Sequence, residues 1–225
     1  MKKNKIFVAC DSTDISKINR IITNTKNPKI KVGYKFGLEF LNSKHGRKYV
    51  SKLKNKIIFA DLKIHDIPNT CVSTVKAIKD LKINYLTIHI SSGLRALRAA
   101  KKVASKTKLV GVTILTSLDN KTVKEIGFDK SLKKIVLAQA KLASKAKLDA
   151  IVCSAKEVSI VKKVFKKEII TPGIRFNKKN DNDQKRIVTP KQAYKIGSDW
   201  LVIGRPITKG NIKKNIKTLI YHLNQ

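Results

Sequence analysis

The chain has 225 residues and carries 50 lysines and arginines against 15 aspartates and glutamates, a formal net charge of +35. This length suits one large domain or two small ones, and a hydrophobic content of 42% is ample for a packed core. No stretch approaches the roughly 20 uncharged apolar residues of a membrane helix. The apolar run after the basic start is shorter than the roughly 7–15 residues of a signal-peptide core, so we expect neither kind of segment.

The positive charge has two possible interpretations. Basic surfaces are typical of proteins that bind nucleic acids or other polyanions. Here the basic residues are mostly lysines spread along the whole chain, and aromatic residues make up only 6%. A nucleic-acid groove would concentrate the charge and add arginines and aromatic rings. We therefore interpret the charge as compositional, and we expect no specific nucleic-acid partner and only weak, nonspecific affinity for anions.

The cysteines indicate a reducing compartment. Cys10, Cys71 and Cys153 are odd in number and show no CxxC spacing. We expect reduced, mostly buried thiols in a cytoplasmic protein.

Along the chain, short β-rich apolar runs alternate with longer segments in which apolar residues recur every three or four positions. Strands are predicted at 5–10, 30–36, 56–63, 84–90, 108–115, 148–154, 168–174 and 199–205, and helices at 70–82, 94–106 and 131–146 among others. Eight such units without a linker predict one α/β domain over residues 1–225, a (β/α)8 TIM barrel. A doubly wound open sheet is the alternative, although no GxGxxG follows the first strand.

Polar residues recur at or just beyond the carboxyl ends of the predicted strands. In a barrel these ends meet on one face, where active sites are built. The residues concerned are Asp11, Lys35, Lys63, His89, Thr116, Ser154, Arg175 and Arg205.

The third strand ends in the charged sequence DLKIHD. Because positions i and i+2 of a strand share a face, Asp61 and Lys63 are predicted to point together into the barrel mouth. Asp66 lies beyond the strand, in a turn shaped by Pro68. Nearby carboxylates would oppose loss of the lysine's proton, and Lys35 would compensate Asp61. The array would hold a protonated donor toward a substrate, or else serve as an ion-pair network that braces the rim.

These motifs resemble those of the orotidine 5′-phosphate decarboxylase family. DLKIHDIPNT is similar to the family's Asp-x-Lys-x-x-Asp-Ile-Pro-Asn-Thr signature. VACD matches its first-strand aspartate, YKFGLEF its second-strand lysine and GVTILTS its fifth-strand motif. TPGIR, DNDQKRIVTP and VIGRPIT are similar to its phosphate-binding loop and last-strand motif. The resemblance covers essentially the whole chain.

The resemblance implies the decarboxylation of orotidine 5′-monophosphate to UMP without a metal or organic cofactor. Since no electron sink is present, the protein must stabilise the carbanion at pyrimidine C6 electrostatically. Lys63 would lie beside C6 and deliver its proton, and Asp61 would lie near the departing carboxylate. Lys35 and Asp11 would bind the ribose hydroxyls.

The resemblance also implies a homodimer with shared active sites. Asp66, Ile67 and Thr70 would come from the neighbouring subunit, with Pro68 and Asn69 also among the substrate-binding residues.

At the phosphate end, Gly204 would let the backbone approach the ligand, and Arg205 would supply a bidentate fork. By resemblance, Arg175 serves the same phosphate, and Gln184 reaches phosphate and pyrimidine from the loop at 175–188. Thr116 is predicted at the edge of the pyrimidine ring, with Ser117 as the alternative. His89 is expected to be structural rather than a base, and strand alternation predicts that His65 points away from the chemistry.

Two rival functions differ from this one. A phosphosugar decarboxylase or aldolase of the same superfamily would share the third-strand motif but use Mg²⁺, so that EDTA would abolish its activity. A noncatalytic anion-binding protein would bind arbitrary RNA or DNA in a salt-sensitive way and would not turn over the nucleotide.

Overall fold

The computed structural model describes residues 3–176 and 188–224. Eight parallel strands close into a barrel in chain order, with the last strand paired to the first. They are β1 (Asn4–Ala9), β2 (Ile30–Gly37), β3 (Ile57–Ile64), β4 (Tyr85–His89), β5 (Lys108–Val112), β6 (Ala150–Val152), β7 (Glu168–Thr171) and β8 (Trp200–Ile203). The predicted TIM barrel is confirmed, and the open-sheet alternative is wrong.

The helices lie outside the barrel and after its strands. They are α1 (Ile15–Asn24), α2 (Leu38–Leu41), α3 (Gly46–Lys52), α4 (Pro68–Ala77), α5 (Gly93–Val103), α6 (Asn120–Glu125), α7 (Leu132–Lys145), α8 (Val158–Val164), α9 (Pro190–Lys195), α10 (Arg205–Thr208) and α11 (Ile212–Asn224). Short 3-10 turns occupy Lys79–Leu81, Ile90–Ser92 and Ala155–Glu157. The prediction that residues 1–225 form a single domain stays a prediction.

The predicted elements exist, but several boundaries differ. The fifth to seventh strands are shorter than predicted, because the chain leaves the barrel wall where its backbone stops hydrogen-bonding to the neighbouring strands. Pro172 has no N–H to donate after β7, and Gly173 adopts φ +76°. The helix predicted at 70–82 begins earlier, at Pro68, since proline is favoured in a first helical turn. It ends at Ala77 and is followed by a 3-10 turn.

An aromatic cluster fills the interior of the barrel. Phe7 stacks on Trp200 with ring centroids 4.1 Å apart, and its ring also meets Phe59 at 4.8 Å. β2 contributes no side chain to this cluster, because a Cβ at Gly33 would lie only 2.7 Å from the ring of Phe7. The barrel is therefore a packed core rather than a pore, with space for a ligand only at its ends.

At the amino end of the barrel, a repeated hydrogen bond holds the strands in register. Asn84 Oδ1 accepts from Ile58 N at 2.7 Å, and Asp149 Oδ2 accepts from Leu109 N at 2.9 Å. Asp199 Oδ2 likewise accepts from the N–H at the start of β7, at 2.9 Å. Each polar side chain immediately precedes an even-numbered strand and satisfies the N–H of the second residue in the strand before it.

The cysteines agree with the expectation of buried thiols. Cys10, Cys71 and Cys153 are all buried and free of disulfides. Within residues 3–176 and 188–224, no helix is both long enough and apolar enough to span a membrane.

Candidate active site

A cavity of about 160 Å³ opens at the carboxyl end of the barrel. Charged side chains occupy one side of it, and apolar side chains occupy the remainder. Its lining consists of Lys35, Phe59, Asp61, Lys63, Val112, Ile114, Leu115, Thr116, Val152, Pro172 and Val202. Residues from six strands or the loops that follow them thus meet at one site, as the polar strand ends predicted.

A chain of ion pairs forms the charged side of this cavity. Lys63 Nζ lies 2.9 Å from Asp61 Oδ2, and Lys35 Nζ lies 3.4 Å from the same oxygen. Lys35 Nζ also lies 3.2 Å from Asp11 Oδ1. The side chains of Lys35 and Asp61 are only 12% and 13% exposed, whereas that of Lys63 is 34% exposed. Lys63 is therefore the array's most accessible ammonium toward the cavity.

The neighbouring charges determine the ionisation of the two buried members. Burial would raise the pKa of Asp61, but Lys35 and Lys63, helped by hydrogen bonds from Lys63 and Thr87, hold this pKa below its ordinary value. Burial would lower the pKa of Lys35, but Asp61 and Asp11 raise it instead. Both groups are thus kept charged at neutral pH.

Lys63 reaches Asp61 through an irregular strand rather than through simple alternation. Its φ is +48°, in the left-handed region, and the register with β4 shifts between Ala60 and Ile64. The prediction that Asp61 and Lys63 share the barrel mouth is confirmed, but strand periodicity alone does not explain it. A bulge beside the site turns the lysine back over the carboxylate.

The structure does not bring Asp66 into this array within one chain. Asp66 is exposed, its Oδ1 accepts a hydrogen bond from Ile67 N at 2.7 Å, and among the described residues it forms no ion pair with Lys63. Ile67 is 66% exposed, and Asn69 and Thr70 are exposed as well. Pro68, which is half-buried, begins α4. None of these residues lines the cavity of its own chain.

The predicted phosphate residues follow the last two strands. Gly204 lies at the end of β8, where a Cβ would be 3.5 Å from that of Ala9 and 3.9 Å from Asp11 Oδ2. Arg205 begins α10 and is exposed. Arg175 N donates to Val188 O at 3.0 Å, and Arg175 Nη1 donates to Ile174 O at 3.0 Å. The first of these bonds joins the two ends of the loop that contains Gln184, which itself lies outside the described residues.

Of the two residues considered for the pyrimidine edge, Thr116 lines the cavity and Ser117 does not. Ser154 is buried instead, and its hydroxyl accepts from Lys156 N at 3.3 Å, so it caps a 3-10 turn. Of the two candidates, Thr116 therefore shares the cavity lining with Lys63.

The two histidines beside the site pair with each other. The rings of His65 and His89 lie 5.1 Å apart, and His65 Nε2 is 3.2 Å from Ser91 Oγ. Burial, His65 and Lys63 lower the pKa of His89. Neither histidine lines the cavity among the described residues, in agreement with a structural role.

The sequence reasoning missed Thr87, which is fully buried and hydrogen-bonded to Asp61. Its signal was present, because it is the only aliphatic hydroxyl in the apolar run YLTIHI. The apolar lining of the cavity was also missed, since apolar residues near strand ends do not differ in sequence from core residues.

A larger cavity of about 650 Å³ lies at the opposite end of the barrel. Its charged side chains form ion pairs with one another and hydrogen bonds with backbone N–H groups at the beginnings of the strands. Lys108 Nζ is 2.8 Å from Glu168 Oε2, and Asp149 and Asp199 accept from strand N–H groups. This end has the features of a structural base rather than a reaction site.

The carboxyl-end cavity can do electrostatic chemistry. It places a fixed ammonium, held by a buried carboxylate, against an apolar wall, where charge stabilisation is stronger than in water. Among the described residues, no group of three or more His, Cys, Asp or Glu side chains is placed to hold a metal ion.

Comparisons with known proteins agree with this geometry. The family model described as "Orotidine 5'-phosphate decarboxylase / HUMPS family" matches residues 4–216. An orotidine 5′-phosphate decarboxylase of Wolbachia sp. subsp. Brugia malayi is 46% identical, over 96% of this chain and 97% of that protein. One from Buchnera aphidicola subsp. Baizongia pistaciae is 40% identical, over 97% and 94%. The crystal structure of an orotidine 5′-phosphate decarboxylase from Lactobacillus acidophilus superposes with a TM-score of 0.82 at 31% identity, over 99% and 100%.

Proposed function

The chain belongs to the orotidine 5′-phosphate decarboxylase / HUMPS family, and we propose that it converts orotidine 5′-monophosphate to UMP and CO₂ in pyrimidine synthesis. The observation that carries this proposal is the Lys35–Asp61–Lys63 array at the mouth of the barrel. The reaction breaks the bond between pyrimidine C6 and its carboxylate, and the electron pair stays on C6. A proton then replaces the lost CO₂, so that the product is UMP.

Lys63 is the group proposed to stabilise and protonate C6. Its ammonium is the most exposed of the array's cations and lines the cavity. A fixed positive charge lowers the energy of a developing carbanion most when water is excluded and the charge needs no reorganisation. Proton transfer from the same ammonium would then complete the reaction.

Asp61 and its partners are proposed to hold Lys63 and bind the substrate around C6. Asp61 would lie near the departing carboxylate, where its own charge is compensated by Lys35 and Lys63. Lys35 and Asp11, 3.2 Å apart, would bind the ribose hydroxyls. Thr116 would meet the edge of the pyrimidine ring from the loop after β5.

The phosphate would bind beyond β7 and β8. Gly204 allows close approach of the backbone, and Arg205 and Arg175 carry the compensating charge. Gln184 is proposed to contact the phosphate and the pyrimidine. Binding energy from this remote group would be used to fix the reacting carbon against Lys63.

A homodimer is proposed to complete each site. Asp66, Ile67 and Thr70 are exposed and do not line the cavity of their own chain, and Ile67 is 66% exposed. Contiguous exposed apolar surface is typical of an interface. Leu38, the first residue of α2 after β2, and Leu115, on the loop after β5, add exposed apolar surface at the same end of the barrel. We further propose a cytoplasmic location, as the three free thiols favour.

The test is the conversion of orotidine 5′-monophosphate by the purified protein, followed by chromatography of the nucleotides with and without EDTA. The expected result is UMP in equimolar amount to the substrate lost, at the same rate in both samples. UMP formation that stops with EDTA and returns with Mg²⁺ would contradict the cofactor-free reaction. An absence of UMP from both samples would refute the proposed function, and the phosphosugar enzyme of the same superfamily would then be the favoured alternative.

A further inference from the structure

The third and fourth strands are out of step beside the candidate site. Ala60 lies opposite Leu86, but Ile64 lies opposite Ile88. Three residues of β3, namely 61–63, therefore stand opposite one residue of β4, Thr87. A regular parallel ladder would pair one residue with one, so β3 has two extra residues here.

The hydroxyl of Thr87 takes the place of the missing ladder contact. Thr87 Oγ1 accepts a hydrogen bond from Lys63 N at 2.7 Å and donates one to Asp61 Oδ1 at 3.1 Å. A backbone N–H can only donate, and the single hydroxyl proton is then free for the carboxylate. The side chain of Thr87 is fully buried, so water does not compete for either bond.

We propose that Thr87 is a positioning residue that sets the geometry between Lys63 and Asp61 for the reaction. This inference rests on the proposed function. Thr87 does not line the cavity among the described residues, and it acts through the two groups that do.

The conformation of Lys63 explains why such a residue is needed. A lysine at φ +48° occupies a left-handed conformation that is unfavourable for a residue with a side chain and persists only when its surroundings hold it. The bond from Lys63 N to Thr87 holds the backbone in this conformation. The bond to Asp61 Oδ1 orients the carboxylate so that its other oxygen, Oδ2, receives Lys63 Nζ at 2.9 Å and Lys35 Nζ at 3.4 Å. One hydroxyl thus fixes the main chain of Lys63 and the side-chain partner of its ammonium.

The decisive variants are Thr87→Val and Thr87→Ser. Valine keeps the shape of the side chain and loses both hydrogen bonds, whereas serine keeps the hydroxyl. Because a misplacement of about 1 Å can cost roughly 100-fold, we expect kcat to fall about 10- to 100-fold in Thr87→Val. KM should change much less, and Thr87→Ser should recover kcat to within a few fold of the wild type.

Thr25→Val is the matched control. Thr25 is also fully buried, and its hydroxyl donates to Ile21 O at 2.8 Å and lies 3.1 Å from Tyr34 Oη, away from the cavity. Its loss should lower stability while kcat stays at the wild-type value. Wild-type kcat in Thr87→Val, or equal losses in Thr87→Val and Thr87→Ser, would overturn the proposed role.

A second measurement separates this inference from the proposed function. The Asp61 carboxyl can be titrated by carbon-detected NMR without substrate, with Asp61→Asn used to assign its signal. Thr87→Val should raise the pKa of Asp61, because a hydrogen bond to the charged form is lost. If the wild type proved inactive on orotidine 5′-monophosphate, the proposed function would fail, and this titration would still decide the role of Thr87. An unchanged pKa in Thr87→Val would refute that role.

Discussion

Asp61 is the residue on which the candidate site is organised. One of its carboxylate oxygens lies beside the ammonium groups of Lys63 and Lys35, and the other accepts a hydrogen bond from the Thr87 hydroxyl. Both oxygens are therefore held in place by neighbouring side chains. Removing one member of such a buried group leaves the others without compensation, which is far more costly than losing an exposed ion pair. The side chains of the array are therefore held in fixed positions. A site that stabilises charge without reorganisation needs such fixed groups.

The lowered pKa of Asp61 predicts how stability depends on pH. Because the folded-state pKa lies below the unfolded value, the ionised carboxylate stabilises the fold above the unfolded value of about 3.9. This contribution is lost as the pH falls through the folded-state pKa. We expect the stability advantage of the wild type over Asp61→Asn, measured by urea unfolding, to be constant above about pH 5 and to shrink below about pH 4. An advantage that grew toward acid pH would contradict the assignment.

Arg205 allows a test of phosphate recognition. Arg205→Ala should raise KM for the nucleotide by about 10- to 100-fold, since charge-assisted bonds to an anion contribute roughly 1.5–3 kcal/mol. With orotidine, which lacks the phosphate, the variant and the wild type should have nearly equal kcat/KM. Equal losses for the two substrates would show that Arg205 does not act on the phosphate.

At the scale of elements, the two ends of the strands have different tasks. The carboxyl ends lead into the loops that carry charged residues, and the amino ends are closed by side chains that satisfy backbone N–H groups. These hydrogen bonds fix the register of the strands at the amino end, and the register of β3 with β4 then shifts only beside the site, between Ala60 and Ile64.

Asp199 tests the role of the amino end. Asp199→Ala would leave the N–H of Ile169, a fully buried residue, without its acceptor, at a cost of about 1–3 kcal/mol in the free energy of unfolding. Asp199→Asn is the control, because Asn84 makes the equivalent bond to β3 in this same chain. We expect thermal unfolding to shift by several degrees in Asp199→Ala and less in Asp199→Asn, with kcat unchanged in both. Equal shifts would mean that the hydrogen bond is not what stabilises β7.

Strands and helices could be predicted from the sequence because their periodicities are properties of consecutive residues. The strand ends at Asp11, Lys35, Lys63 and Thr116 were predicted on the same basis, and the structure brings these residues close to one another. The bulge at Lys63 could not be predicted, since it depends on which residue of β4 stands opposite. Register between strands is a tertiary property, and so is the contact of Thr87 with two residues more than twenty positions away.

At the scale of the whole molecule, the charge of +35 does not converge on the candidate site. There the array combines Lys35 and Lys63 with Asp11 and Asp61, so its positive and negative charges are equal in number. The lysine excess instead lies along exposed helix faces and loops, as in α7, α8 and α11. This distribution agrees with the interpretation of the charge as compositional, with affinity for anions that salt would screen.

A shared active site predicts complementation between two inactive variants. In the proposed dimer, Lys63→Ala disables a subunit's own cavity, and Asp66→Ala disables the cavity of its neighbour. After the two variants are unfolded together and refolded, half of the dimers are mixed and contain one intact site, so about a quarter of wild-type activity should return. Sedimentation would establish the dimer. Mixed samples that stay inactive although dimers form would contradict the sharing of Asp66.

The turnover of Lys63→Ala tests the central claim most directly, namely that the ammonium beside Asp61 carries the chemistry. Stabilisation and protonation by one group together predict a fall in kcat of at least about 1,000-fold, while the affinity for UMP and the circular dichroism spectrum stay close to those of the wild type. Lys163→Ala, which removes the same charge from an exposed position on α8, should keep wild-type kcat. A Lys63→Ala enzyme that converts orotidine 5′-monophosphate within tenfold of the wild-type rate would contradict the claim.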